Sequence, residues 1–101
     1  MKIIKEIPIT KVILKECLML ENLHGERSLI EINKLQPSDK FIVRHMEKVR
    51  SYSDSIREKL GIGDYQISID SDLCSVMVFD RPLKDLNYET NYVLKEDVLI
   101  Q

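Results

Sequence analysis

The apolar residues of the chain fall into short clusters divided by turn-forming residues, and their spacing changes from one cluster to the next. Ile3, Ile4, Ile7 and Ile9 form the first, with Pro8 inside it. Proline offers no N–H to a neighbouring strand, so this segment reads as an edge strand or an extended arm. Thr10 is then a candidate N-cap for a helix over residues 11–23. Ile13, Cys17, Leu20 and Leu23 or His24 recur there at helical steps, and Gly25 is a natural stop. The runs 12–14 and 17–20 are equally compatible with buried strand pieces.

Residues 28–35 place Leu29, Ile30, Ile32 and Leu35 among polar neighbours, the pattern of a strand leading into the turn Gln36-Pro37-Ser38-Asp39. Residues 40–48 carry Phe41, Ile42, Val43 and Met46 and admit two readings. Either they open one long helix that runs to Leu60, or they are extended and a new helix starts at Ser51. The second is preferred, because Ser51 followed by Asp54 matches a capping box, and serine inside a helix competes with the backbone. Val49, Tyr52, Ile56 and Leu60 give that helix one face to bury, and Gly61 can take the left-handed conformation that ends it. A hairpin follows, with strands over 65–69 and 75–79 joined through Asp70-Ser71-Asp72-Leu73-Cys74, and the second strand reads as buried on both faces. The stretches 92–94 and 98–100 suggest a last short strand. The expected fold is a single α+β domain over residues 1–101. Two main helices pack on a mixed or antiparallel sheet of three to five strands.

Composition adds little to this picture, but the distribution of charge adds something. The 101 residues suffice for one core, with 44% hydrophobic and 32% charged residues, as in an ordinary globular chain. Net charge is −2 and the isoelectric point about 5.7, which argues against a surface that grips nucleic acid on all sides. Residues 40–59 nevertheless carry Lys40, Arg44, Lys48, Arg50, Arg57 and Lys59 against Glu47, Asp54 and Glu58, a local +3. Residues 1–39 are neutral and 60–101 sum to −5. One basic element therefore sits in a neutral-to-acidic chain. Such an element is either a solvated helix face or a localised contact for phosphate or an acidic partner. Two cysteines, no signal peptide and no long apolar run make the cytoplasm the expected compartment and give no membrane contact.

Candidate chemistry is sparse. No nucleophile elbow, zinc-protease helix or phosphate loop is present, and the Gly61/Gly63 pair follows a helix instead of preceding one. Cys17, His24, His45 and Cys74 are the right residue types for zinc but lack knuckle spacing; they read as two buried thiols and two surface imidazoles. Asp70 and Asp72 lack the glycine and closing glutamate of a calcium loop and read as turn formers. Met19, Met46 and Met77 sit among aliphatics and read as core filling. No metal, no cofactor and no enzymatic activity are expected.

Several of these features occur together in one order. After a first helix come Gly25, a strand over 29–35 ending in Gln36-Pro37, and a basic extended segment over 41–48. The capped helix with Val49, Tyr52, Ile56 and Leu60 is next, then a hairpin closed by Asp80-Arg81-Pro82. In this order residues 25–82 resemble the small α-domain that precedes the motor in FtsK-type DNA-translocating ATPases. The chain shows no motor phosphate loop, so the resemblance implies no ATP-driven step. What it implies is a non-enzymatic binding and assembly module in DNA transfer or maintenance of a bacterial mobile element. Lys40, Arg44, Lys48 and Arg50 are the residues it places nearest double-stranded DNA, and a partner ATPase is implied beside it. The residues also allow another reading, a small acidic phage- or element-encoded protein that binds and inhibits a host protein. A homo-oligomer is expected through the edge segment 3–9 and the apolar residues 98–100.

Overall fold

The computed structural model of the chain describes residues 2–85. The strands and α-helices run in the order β1 (Ile3–Pro8), α1 (Leu14–Ile32), α2 (Asp39–Leu60), β2 (Tyr65–Asp70) and β3 (Ser75–Pro82), with a 3-10 turn at Leu83–Asp85 behind them. The strands form one antiparallel sheet in the order β1-β3-β2, and the two helices pack on it, an α+β domain. The expected strand at 92–94 and 98–100, and the oligomer contact assigned to 98–100, lie outside the described residues.

The sheet follows the sequence closely. β1 lies at an edge, where Pro8 costs no ladder bond, and its register shifts between Ile3 and Lys5. β3 is the central strand. Ile7, Val76 and Ile69 lie side by side across the three strands, and Lys5, Val78 and Ile67 form the next row. Val76 and Val78 are fully buried in these rows, while Met77 and Phe79 on the opposite face are half-buried. The β2–β3 turn is closed by the Asp70 carboxylate, which accepts a hydrogen bond from the Leu73 N–H at 3.1 Å, and by Cys74 at φ 49°. Ile9 N–H donates to the Cys74 carbonyl and so fastens the end of β1 to this turn.

The helices depart from the pattern in three places. Thr10 does not cap α1; residues 11–13 form a turn in which the Thr10 carbonyl accepts from Ile13 N–H, and the helix starts at Leu14. Gly25 does not stop α1, and residues 28–35 are not a strand: the helix continues to Ile32. A glycine inside a helix costs about 1 kcal/mol relative to alanine. Here the following residues repay it, with Arg27 and Glu31 paired one turn apart at 3.1 Å and Leu23 buried before the glycine. Residues 40–48 are not extended either, since α2 is one helix of 22 residues. Its cap is Ser38, whose hydroxyl accepts from Phe41 N–H at 3.2 Å; Ser51 is an exposed mid-helix residue.

Both helices end in the same motif. At α2, Gly61 (φ 63°) carries the left-handed turn, Gly61 N–H bonds to the Glu58 carbonyl and Ile62 N–H to that of Arg57. At α1, the Lys34 N–H bonds to Glu31 and the Leu35 N–H to Ile30, but the left-handed residue is Lys34 at φ 52°. A side chain at that position is strained by roughly 1 kcal/mol. Lys34→Gly is therefore expected to stabilise the domain by about 0.5–1 kcal/mol, read as a melting temperature several degrees higher. An unchanged or lower melting temperature would argue against this helix end.

The core lies between the sheet and the helices, built on Ile13, Cys17, Ile56 and Val76, with Ile7, Ile9, Leu20, Leu60, Ile67 and Ile69 packed around them. Two polar ties cross it. Glu16 on α1 accepts from Lys59 Nζ at 2.6 Å and from Ser55 Oγ at 2.8 Å, joining the start of α1 to the end of α2. Arg57, 6% exposed, donates from Nε to the Tyr65 carbonyl at 2.7 Å and from Nη1 to Asp54 Oδ1 at 2.9 Å, joining α2 to the start of β2.

Candidate nucleic-acid interface

The single long α2 changes where the basic residues stand. With 3.6 residues per turn, Lys40, Arg44 and Lys48 fall within an arc of about 80° and span about 12 Å of helix axis. All three are exposed, and none makes an ion pair among the described residues. Asp39 and Glu47 lie beside them, and a shallow depression is lined by Asp39, Lys40, Val43, Arg44 and Glu47. Arg50 is exposed as well but sits about 80° round the helix from Lys40 and about 160° from Lys48. It lines a second depression with Ser51, Asp54, Ser55 and Glu58. Three of the four expected contacts thus form one row, and the fourth stands apart from it.

The remaining cations of the +3 segment serve the fold. Arg57 is buried against Tyr65 and Asp54, and Lys59 reaches across to Glu16 and to the Val12 carbonyl. The Lys59 ammonium and the Ser55 hydroxyl hold the Glu16 carboxyl down to about 2, from an ordinary 4.5, against the opposing effect of burial. The exposed cations of this segment that make no ion pair among the described residues, Lys40, Arg44 and Lys48, all stand in the first half of α2.

The other recess of note is a cleft of about 360 Å³ between the second half of α1, the middle of α2 and β2. Leu20, Met46, Val49, Ile67 and Ile69 supply its apolar lining, and Glu21, His24, Arg27 and Ser53 are among its polar groups. His45, read from the sequence as a surface imidazole, is in fact buried. Its Nε2 lies 2.8 Å from the Leu23 carbonyl, which can only accept, so Nε2 carries the hydrogen; the ring stacks on Phe41 at 5.7 Å between centroids. This bond crosses between the helices and gives His45 a structural task. Cys17 is buried, and desolvation pushes its thiol up, whereas Cys74 is exposed in the hairpin turn and not buried as expected. Among the described residues no group of three or more His, Cys, Asp or Glu is placed to hold a metal ion. No helix among them is long and apolar enough to cross a membrane.

The cleft was missed in the sequence because its lining comes from three elements, one of which was read as ending at Gly25. The available signal was the run Met46, Val49, Ser53, Ile56 and Leu60, which holds helical spacing from before Ser51 to the glycine stop. On the elements that carry the translocase resemblance, the helix with its glycine stop and the hairpin are present, while residues 29–32 and 41–48 are helical. No protein-family model, curated protein or solved structure matches the chain.

Proposed function

We propose that the protein is a non-enzymatic binding and assembly module that contacts the backbone of double-stranded DNA through the first half of α2, in DNA transfer or maintenance of a bacterial mobile element. The observation that carries this reading is the row Lys40, Arg44 and Lys48: three exposed cations at four-residue steps, uncommitted to any ion pair among the described residues. A rigid helix presents such a row without ordering cost, and the neighbouring Asp39 and Glu47 keep the attraction weak. That suits a module that adds its grip to others, such as a partner ATPase, better than a free-standing high-affinity binder. The cytoplasm is the compartment this role requires.

The test is fluorescence anisotropy with a labelled duplex at several salt concentrations. Three phosphate contacts predict a slope of about −3 in log K against log salt. The triple variant Lys40→Ala/Arg44→Ala/Lys48→Ala is expected to abolish measurable binding, while Arg50→Ala alone retains most of it. If the triple variant bound as well as the unmodified chain, the row would have no part in binding. The alternative, an acidic inhibitor of a host protein, rests on the charge of residues 60–101, of which 86–101 lie outside the described residues.

A further inference from the structure

The cleft between α1, α2 and β2 holds a polar group that the fold leaves unused. Met46, Val49, Ser53, Ile56 and Leu60 form the inward stripe of α2, and Ser53 is its one polar member. Ser53 is 6% exposed, lines the cleft and makes no hydrogen bond among the described residues. Unlike Glu16 Oε1, which is sealed in the interior, its hydroxyl opens on the cleft. A buried hydroxyl without a partner weakens a core, and an alanine in its place would be neutral or better. An unpaired donor and acceptor set among apolar walls is instead the arrangement that a ligand completes.

The rest of the cleft fits a small molecule. Its volume of about 360 Å³ lies in the range of small-ligand pockets, and Leu20, Met46, Val49, Ile67 and Ile69 supply the apolar walls. Gly25 lines it as well, and a Cβ there would meet nothing within 4 Å. A glycine inside α1 costs stability, and an unobstructed cleft is what its missing side chain supplies. The charge of the ligand follows from what is already paired. Arg27 is held by Glu31 at 3.1 Å, whereas the exposed Glu21 makes no ion pair among the described residues. Glu21 is thus a lining carboxylate without a counter-ion, and it selects a cation.

We propose that the cleft binds a small amine, with an aliphatic or aromatic body against the apolar walls, an ammonium at Glu21 and a neutral hydrogen-bonding group at Ser53. Burial sets its direction. The ammonium stays at the exposed Glu21, where it keeps much of its water, and the neutral group enters toward the buried serine. An anion would be repelled by Glu21, and a hydrocarbon would leave the Ser53 hydroxyl desolvated and unpaired. Lys40, Arg44 and Lys48 line no part of the cleft, so the inference stands apart from the nucleic-acid reading.

The probe is tyramine, which carries a phenol at one end of an aromatic body and an ammonium at the other. NMR titration of the isotope-labelled full chain to about 20 mM tyramine should shift the amides of Leu20, Met46, Ser53 and Ile67, with the millimolar affinity of a fragment-sized ligand. Phenethylamine, which lacks the hydroxyl, should bind about 5-fold more weakly. The carboxylate analogue para-hydroxyphenylacetate should leave these amides in place. Ser53→Ala should keep or raise the melting temperature and lose the preference for tyramine over phenethylamine. Glu21→Gln, at an exposed position, should weaken both amines about 5-fold. Shifts centred elsewhere or none at all, a carboxylate that binds as well as the amine, or a Ser53→Ala chain that keeps the preference would each overturn the proposal. A clear loss of stability in Ser53→Ala would overturn it too, by giving the hydroxyl to the fold.

Discussion

Arg57→Ala is expected to cost the domain about 3 kcal/mol, a substantial fraction of the roughly 5–15 kcal/mol by which such domains are stable. The guanidinium is 6% exposed and donates to the Tyr65 carbonyl, where the backbone leaves the Gly61–Asp64 turn and enters β2. Truncation leaves that carbonyl without its charged donor, removes the buried alkyl stem and releases α2 from the start of β2. The Asp54 partner contributes little by comparison. Its side chain is 55% exposed, so Asp54→Ala should cost well under about 1 kcal/mol. Arg57→Lys should recover only part of the loss, because a lysine cannot hold both acceptors with one planar group. Urea denaturation of the three variants checks the order. If Arg57→Ala and Asp54→Ala cost the same, the weight lies in the surface ion pair and not in the tie to β2.

The second large effect is a pH dependence confined to acid. Glu16 is buried with its carboxyl held down to about 2 by Lys59 and Ser55, against an ordinary 4.5. A carboxyl whose folded value is depressed adds stability that is fully present above the unfolded value and is lost as pH falls toward the folded one. The window therefore runs from about 4.5 down to about 2. The full shift corresponds to about 3 kcal/mol. Two features reduce it to roughly 2: the Lys59 side chain is 42% exposed, and Glu16 Oε1 is buried with no hydrogen-bond partner among the described residues. Glu16→Gln should lower stability at neutral pH by that amount and flatten the urea midpoint between pH 4.5 and 2. A glutamine variant with the same acid slope as the unmodified chain would place the titration elsewhere.

Both ties explain why the fold was only partly legible in the sequence. The sheet was readable because its signals are local: Pro8 marks an edge, Gly61 ends a helix, and Asp70 closes a turn with its own side chain. The first helix and the linker were not, because distant contacts override the local preferences there. Gly25 carries a helix-breaking penalty but lies between Leu23, buried in the interior, and the Arg27–Glu31 pair, so the helix passes through it. Ser51 and Asp54 imitate a capping box, yet Asp54 is held by Arg57 and the true cap is Ser38, hidden in a stretch that also reads as a turn. Ser55 looks like a surface residue until α1 brings Glu16 to it across 39 residues. The basic row was legible as charge but not as geometry. Only a continuous α2 aligns Lys40 with Arg44 and Lys48, and the same continuity turns Arg50 away from them.

The most direct test of the account is an NMR titration of the isotope-labelled chain with a short duplex at low salt. The proposal predicts chemical-shift changes concentrated on the exposed face of α2 around Lys40, Arg44 and Lys48, fading as salt is raised, with the sheet unaffected. Changes centred on β1 or on the cleft between the helices, or none at low salt, would contradict it.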